Sequence, residues 1–160
     1  MKWDDIGNTP CSIARSLAVV GERWTILILR NAFMGTRRFD DFQQQLGITR
    51  HRLSDRLTKL VEMGVMEKVT YQEKPLRNEY RLTPMGRDWY QVQLAIVAWG
   101  DKWLSDAKGP PMLYLHKQCG NVFTPTLSCS ECGEKVQARD VIPMAGPGLT
   151  ANQTLAQEQK

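Results

Sequence analysis

The segment from Arg37 to Arg56, RRFDDFQQQLGITRHRLSDR, constrains the fold of this chain more than any other. Its pattern predicts a short helix, a turn at Gly47 and a second helix. Beyond the turn, leucines recur every three or four residues, at Leu53, Leu57 and Leu60. They bury one face of the second helix and leave basic and hydrogen-bonding side chains on the other. Two helices joined by a glycine turn predict a helix-turn-helix, whose second helix fits the major groove of DNA.

Two strand-like runs follow the second helix, at residues 65–71 and 78–83. The residues between them, QEKPLR, are polar and contain Pro75, which predicts a hairpin tip. A hairpin directly after a recognition helix is a wing, and its tip carries Lys74 and Arg77. The predicted fold class is therefore mainly α with a small β wing, a winged helix-turn-helix.

Further helices are expected at residues 11–20 and 22–34, each followed by a glycine. In the second of them, the side chains predicted to be buried are Trp24, Leu27, Ile28 and Ala32. Within the helix-turn-helix, we expect Thr49 to cap the start of the recognition helix by accepting a hydrogen bond from a first-turn amide. Gly64 is expected to cap its end.

A long helix is predicted from Pro84, which suits a first helical position, to about residue 106. Its large apolar residues step by three and four positions, at Trp89, Val92, Ile96, Trp99 and Trp103. Three tryptophans on one stripe are more apolar surface than a lone helix leaves in water. The narrow stripe favours a dimer interface between helices. Packing of the same stripe on its own domain is the alternative.

The basic surplus of the chain is concentrated on the helix-turn-helix and the wing. The formal net charge is +4, and residues 30–83 carry 11 basic and 7 acidic side chains, which accounts for all of it. Such a distribution is expected of a phosphate-binding surface. A solvated charged face with no nucleic-acid partner would look the same.

The residue types on this surface predict which part of DNA each side chain contacts. Arginine can pair with guanine and aspartate with the amino group of cytosine, and each good pair discriminates by about 1–3 kcal/mol. The set expected in the major groove is Arg50, His51, Ser54 and Asp55, with Thr49 beside it at the helix start. The set expected on phosphates or in the minor groove is Arg37, Arg38, Lys59, Lys74 and Arg77. A two-fold dimer would then bind a pseudo-palindromic site with half-sites about one helical turn apart.

Four soft metal ligands lie beyond residue 106 in a spacing typical of a zinc ribbon. The pattern H-x2-C-x9-C-x2-C is formed by His116, Cys119, Cys129 and Cys132, with Gly120 and Gly133 after the second and fourth. Four ligands close a zinc coordination sphere, so the spacing predicts a structural zinc site in a module at residues 107–142. Such a short segment needs metal or docking to hold it. A β-hairpin with reduced, empty ligands is the alternative, and residues 143–160 are expected to form a flexible tail.

No stretch of the sequence predicts a membrane span or a secretion signal. The start, MKWDDIGN, is polar, and the longest apolar run, TILIL, is far shorter than the about 18 residues of a span. We therefore expect a cytoplasmic protein whose cysteines stay reduced. Cys11 is placed in the first turn of a predicted helix, where the macrodipole favours the thiolate and a thiol sensor. A small buried hydrophobe is the other interpretation.

Four motifs, in order along the chain, resemble those of HxlR-type winged helix-turn-helix regulators, which are related to the MarR group. They are GERWTILILR, RRFDDF, LGITRHRLSDRLTKLVEMG and YRLTPMGR, and the resemblance covers about residues 10–105. It implies a homodimer formed through the terminal helices that binds operators near regulated genes. In some members a cysteine before the first helix acts as a thiol sensor of aldehydes or oxidants, which implies a small-molecule or oxidant effector. This chain departs from the usual Cys-Pro order of the family, because Pro10 precedes Cys11 and Ser12 follows it.

The sequence therefore predicts a sequence-specific transcriptional regulator, a repressor that acts as a homodimer on double-stranded DNA. One alternative is a transcription adaptor whose winged helix and ribbon both dock on protein partners. The other is a small metal-dependent enzyme. The sequence offers no carboxylate pair, nucleophile-base set or glycine-rich phosphate loop, so no enzymatic activity is expected.

Overall fold

The computed structural model describes residues 3–149, and the chain divides into two compact units between Val97 and Ala98. In this range the α-helices are α1 (Ser12–Val20), α2 (Arg23–Phe33), α3 (Phe39–Leu46), α4 (Arg50–Glu62) and α5 (Pro84–Leu104). The strands are β1 (Met66–Gln72), β2 (Arg77–Leu82), β3 (Leu115–His116) and β4 (Asn121–Val122). Short 3-10 helices span Trp3–Asn8 and Ala138–Asp140. The predicted class, a mainly helical winged helix-turn-helix, is confirmed.

The core of the first unit lies beneath α4. Leu53, Leu57 and Leu60 are buried there, as their spacing predicts, and they belong to one cluster with Ile28 of α2 and Phe42 of α3. Burying a side chain of this size stabilises a fold by about 1.5–3 kcal/mol. Because these leucines take one face of α4, the opposite face remains in solvent.

α2 turns toward the core a face that includes most of the predicted stripe and adds further residues. Ile28 is buried as expected, and Trp24 and Ala32 are partly buried and pack against the core, whereas Leu27 is only partly buried. The buried positions of the helix are Thr25, Ile28, Leu29 and Asn31. The prediction missed Thr25 and Asn31 because they are polar, and an apolar pattern does not reveal buried polar positions.

A hydrogen-bond network joins the end of α2 to α3. The side-chain amide of Asn31 donates to Gln45 Oε1 over 2.9 Å, and the hydroxyl of Thr36 donates to the same oxygen over 2.8 Å. Arg30 donates to Asn31 Oδ1 from Nε at 3.0 Å and from Nη2 at 2.8 Å. Buried polar groups need such partners. The network therefore fixes how the first helix of the helix-turn-helix lies against α2.

The turn and the ends of α4 follow the predicted positions, with one difference in chemistry. Gly47 takes the left-handed conformation (φ 62°, ψ 21°) that ends α3. Thr49 caps α4 by its backbone, and its carbonyl accepts from the Leu53 amide over 3.0 Å. The predicted side-chain capping bond of Thr49 is wrong, because its side chain makes none. Gly64, with φ of 72°, lies two residues beyond the last helical residue and allows the chain to reverse.

The wing is the antiparallel hairpin β1–β2, as predicted. Its register pairs Met66 with Leu82 and Thr70 with Asn78, and the pairing is irregular between Thr70 and Gln72. The segment before α3 joins the same sheet. Arg38 forms an isolated antiparallel bridge with Glu79, and the amide of Tyr80 donates to the Arg37 carbonyl over 2.8 Å. Two residues of the predicted DNA-contacting set are therefore attached to the wing through their backbone.

The start of α5 packs closely on the segment between α4 and β1. The hydroxyl of Thr83 lies 2.6 Å from the carbonyl oxygen of Gly64 and 3.1 Å from that of Val65, and it accepts from the Gly86 amide over 3.1 Å. A Cβ atom at position 86 would collide with the Val65 carbonyl oxygen. Glycine at this position is therefore what allows α5 to begin so close to the backbone of Val65.

Candidate nucleic-acid interface

The first half of α4 presents its polar side chains to solvent. All four residues predicted to read bases are exposed, namely Arg50, His51, Ser54 and Asp55. Thr49, at the helix start, is exposed as well. Because the leucines of α4 hold the other face in the core, this face is free to enter a DNA groove.

Two contacts hold the side chain of Arg50 above α3. Its guanidinium carbon lies 4.8 Å from the centroid of the Phe39 ring, and its Nη1 lies 3.6 Å from Asp40 Oδ1. The two ionic side chains are 74% and 87% exposed, so water screens the pair and it is worth about 0–1 kcal/mol. The ring therefore positions the guanidinium, and the ion pair can be exchanged for a base or phosphate at low cost.

His51 and Asp55 contact each other one turn apart on α4. Nδ1 of the imidazole lies 3.1 Å from Oδ2 of the carboxylate. In a neutral ring whose Nδ1 donates to this carboxylate, Nε2 remains an acceptor. The pair then offers a carboxylate oxygen and an imidazole nitrogen to the amino groups of cytosine or adenine in the major groove.

An open groove of about 370 Å³ runs between the start of α3, the start of α4 and the wing. Three basic residues of the predicted set line it, namely Arg38, Arg50 and Arg77. The guanidinium carbon of Arg38 lies 5.1 Å from the ring centroid of Tyr71, a cation–π distance. Asp40 and Asp41 line the same groove, so its positive charge is partly neutralised in the free protein.

The remaining predicted phosphate contacts are exposed but do not join this groove. Lys74 lies in the hairpin turn of the wing, and Lys59 lies in the last turn of α4. Arg37 lines a different cleft, because successive residues of an extended segment point to opposite sides. The structure therefore separates Arg37 from Arg38, two neighbours of the same predicted set.

Three groove residues were not predicted from the sequence. Tyr71 and Phe39 act as platforms for Arg38 and Arg50, and Asn78 lines the groove beside them. The position of Tyr71 beside a wing tip that carries Lys74 and Arg77 is a weak signal for its role, whereas the contact between α3 and α4 has no signal in the sequence.

A second concavity lies between the end of α2, the wing and the start of α5. This open cleft of about 650 Å³ is lined by Phe33, Arg37, Tyr80, Arg87 and Tyr90 among others. The Phe33 and Tyr90 rings lie 4.6 Å apart between centroids. Burial raises the pKa of the Tyr80 hydroxyl, so the phenol stays neutral and able to donate.

Most of the predicted dimer stripe on α5 is exposed in the single chain. The exposed members are Val92, Ile96, Trp99 and Trp103. Trp89 differs, since it is partly buried and packs against the core of the first unit. For Trp89 the structure matches the alternative interpretation, packing on its own domain. No helix in the described part of the chain is both long and apolar enough to cross a membrane.

Cys11 is exposed and lies directly before α1. It is the capping residue of the helix, with extended backbone (φ −141°, ψ 120°), rather than part of the first turn. Its carbonyl accepts from the Arg15 amide over 3.0 Å. The interpretation of Cys11 as a buried hydrophobe is wrong, and its role as a thiol sensor stays a prediction.

The four candidate zinc ligands occur as two separate pairs. His116 Nδ1 lies 3.4 Å from Cys119 Sγ in the first pair. In the second, hydrogen bonds from the backbone amides of Cys132 and Glu131, and from the Cys132 side chain, lower the pKa of the Cys129 thiol. Within residues 3–149 no three His, Cys, Asp or Glu side chains are grouped so that they could hold a metal ion. The zinc site stays a prediction.

A recognition helix, a basic wing and a groove between them define this protein as a DNA-binding winged helix-turn-helix protein. Residues 19–108 match the family model of the HxlR-like helix-turn-helix. The chain belongs to this family of transcriptional regulators. It is 48% identical over 140 residues to an HTH-type transcriptional regulator of Mycobacterium tuberculosis, a match that covers 88% of this chain and 89% of the relative.

Solved structures show the same fold. The crystal structure of PA1607, described as a candidate transcription factor, has a TM-score of 0.78 and 32% identity, and the match covers 88% of this chain and 98% of that one. The redox regulator HypR, in its reduced form, has a TM-score of 0.54 and 27% identity, and covers 57% of this chain and 92% of its own. The match to PA1607 is too long for the winged helix alone, so it includes part of the C-terminal unit.

Proposed function

We propose that this protein is a repressor that binds a pseudo-palindromic operator as a homodimer. The observation that supports this most is the exposed polar face of α4 beside the basic groove of the wing. A face of this kind enters one major groove, and a two-fold dimer places a second copy about one helical turn away. A dimer seated on a promoter excludes other proteins from the same DNA, which is the basis of the proposed repression.

Base recognition falls to α4 in this proposal. Arg50, whose guanidinium lies over the Phe39 ring, donates two parallel hydrogen bonds to O6 and N7 of guanine. The pair of His51 and Asp55 accepts from a base amino group on the next base pair. Ser54, which is exposed between them, can donate or accept.

Phosphate contacts fall to the wing and the ends of the helices. Arg38 and Arg77 line the groove that a phosphate strand would follow, and Lys74 extends from the turn of the wing. These contacts fix the position of the protein without reading sequence. They release counterions, so they make affinity fall steeply with salt.

Dimerisation is assigned to the exposed stripe of α5. Trp99 and Trp103 are 59% and 63% exposed, and Ile96 is 44% exposed. Large apolar side chains of this number are costly to leave in water, and they are spaced for a second helix. Pairing of two such helices about a two-fold axis would cover them in both copies.

An effector is assigned to the cleft beside the wing, where arginine and tyrosine side chains surround an open volume of about 650 Å³. Arg37 and Arg87 suit an anionic group, and the rings of Phe33 and Tyr90 suit an apolar or aromatic body. Cys11 provides a separate route by which an oxidant could act, since it is exposed.

The test is fluorescence anisotropy on DNA from upstream of its own gene and on random DNA, at low and physiological salt. We expect Arg50→Ala to lose about 1–3 kcal/mol, or roughly 5- to 150-fold, on the cognate site and much less on random DNA. Lys74→Ala should weaken both about equally and reduce the salt dependence. Arg15→Ala, an exposed arginine of α1, is the charge-matched control. Equal losses on both DNAs for Arg50→Ala would contradict the proposal.

A further inference from the structure

The chain beyond α5 has almost no core of its own. Across the described range 105–149 no side chain is buried, and large apolar residues such as Leu113, Val122 and Leu127 are between 57% and 72% exposed. A segment of this size cannot hold a fixed structure by burial of apolar surface alone. Disulfides, a metal ion or a partner usually provide what is missing.

Two turns in this segment are nearly identical in geometry. In the first, the Gly120 amide donates to the His116 carbonyl over 2.8 Å, and in the second the Gly133 amide donates to the Cys129 carbonyl over 2.9 Å. Each turn ends in a glycine in the left-handed region, with φ of 71° and 76°. Each also carries a donor atom at its first and its fourth residue. The repetition shows two copies of one local structure that presents a pair of soft ligands.

Both turns are closed by β pairing. β3 and β4 pair Leu115 with Val122 and His116 with Asn121 across the first turn. Across the second, Ser128 forms an antiparallel bridge with Lys135, and the Cys129 amide donates to the Glu134 carbonyl over 2.8 Å. The backbone therefore holds the two ligands of each pair on one tight turn.

The spacing within the first pair matches what a tetrahedral ion would require. With Zn–S of about 2.3 Å and Zn–N of 2.0–2.1 Å, a tetrahedral angle puts a ligating nitrogen and sulfur about 3.5–3.6 Å apart. The observed distance between His116 Nδ1 and Cys119 Sγ is 3.4 Å.

We propose that the two turns are two halves of one structural zinc site. The ligands are His116, Cys119, Cys129 and Cys132. Three thiolates and one imidazole are a donor set that suits zinc far better than magnesium or calcium. Because the described residues include no group of three ligands near one another, binding must draw the two turns together. Four protein ligands leave no open position, so the ion has a structural role.

Zinc binding releases the protons of the cysteine thiols and connects the two turns through four bonds. The segment gains through these bonds the stability that its exposed apolar residues do not supply. The redox regulator HypR matches only 57% of this chain. That match is too short to include the whole chain beyond the winged helix.

The experiment is native mass spectrometry of the full chain, kept reduced and loaded with zinc, followed by loading with cobalt(II). We expect one zinc per chain and the strong visible absorption of tetrahedral cobalt with thiolate ligands. Cys119→Ser and Cys129→Ser should each lower zinc affinity by at least 10-fold. Cys11→Ser, which removes a cysteine outside the site, should bind as the unaltered protein does.

A ligand exchange keeps the test decisive if serine variants fold poorly. His116→Cys preserves four ligands and should keep the zinc, whereas His116→Ala should lose it. The DNA affinity of each variant, measured alongside, shows whether the winged helix is still folded. Absence of zinc from the reduced protein would overturn the proposal. So would zinc that survives the combined loss of Cys129 and Cys132, or a Cys129–Cys132 disulfide that forms instead of metal binding under reducing conditions.

Discussion

Asp40 restrains Arg50 in the free protein, so its removal should strengthen DNA binding. The Asp40 carboxylate lies 3.6 Å from the guanidinium that we assign to guanine, and it lines the groove assigned to the DNA backbone. At this separation in water, two unit charges interact by about 1.2 kcal/mol before screening by salt. Binding DNA must break this pair and bring the carboxylate toward phosphates. We therefore expect Asp40→Asn to raise operator affinity about 3- to 5-fold at low salt.

Asp41→Asn is the matched control for this prediction. Asp41 is also exposed, lies in the first turn of the same helix and lines the same groove, but forms no ion pair with the described residues. Both substitutions remove one favourable charge at a helix start, worth about 0.3–1 kcal/mol to stability. The difference in affinity between the two variants therefore isolates the pair with Arg50.

Anisotropy titrations at two salt concentrations make the measurement. The gain from Asp40→Asn should shrink as salt rises, because an exposed pair is screened within about a Debye length. In an Arg50→Ala background the gain should fall to that of Asp41→Asn, because only the repulsion between the carboxylate and the phosphates remains. An affinity that is unchanged or lower for Asp40→Asn, or a gain no larger than that of Asp41→Asn, would refute the reasoning.

Two further predictions concern the architecture that carries the interface. Asn31→Ala should lower the free energy of unfolding by about 2–4 kcal/mol, since it removes the hydrogen bond from Asn31 to Gln45 of α3 and the two that Arg30 donates to Asn31. Urea denaturation measures this loss. The control is Gln44→Ala, an exposed position, which should change the free energy of unfolding by less than about 0.5 kcal/mol. A similarly small loss for Asn31→Ala would show that the network does not fix α3. Replacing both Trp99 and Trp103 by lysine should give a monomer in sedimentation experiments with unchanged helix content. A dimer that persists in that variant would place the interface elsewhere.

Periodicity alone predicts most of the winged helix. Leu53, Leu57 and Leu60 repeat at helical spacing because they form the buried face of α4. The turn at Gly47 needs a residue that can adopt the left-handed conformation. The wing follows from two strand-like runs around Pro75. Each of these features is determined by the residues of one short stretch of the chain, so it can be predicted without knowing the contacts between elements.

The contacts between elements could not be predicted in the same way. Arg50 meets Phe39 and Asp40 only after α3 and α4 have packed, and nothing in the spacing of these residues indicates it. Buried Asn31 is polar, so it lies outside an apolar pattern. Arg37 and Arg38 are adjacent in sequence, yet the extended backbone sends one to each side of the wing. Tertiary geometry decides each of these cases.

The separation of Arg37 from Arg38 links the two concavities of the first unit. Arg38 lines the groove assigned to DNA, Arg37 lines the cleft assigned to an effector, and one peptide bond joins them. That peptide is itself bonded to the wing through the Tyr80 amide. A molecule that fixes the position of Arg37 would therefore also change which positions Arg38 can take in the groove. Thermodynamic linkage then makes the effect reciprocal, so that operator DNA would change the affinity of the effector by the same factor as the effector changes that of DNA.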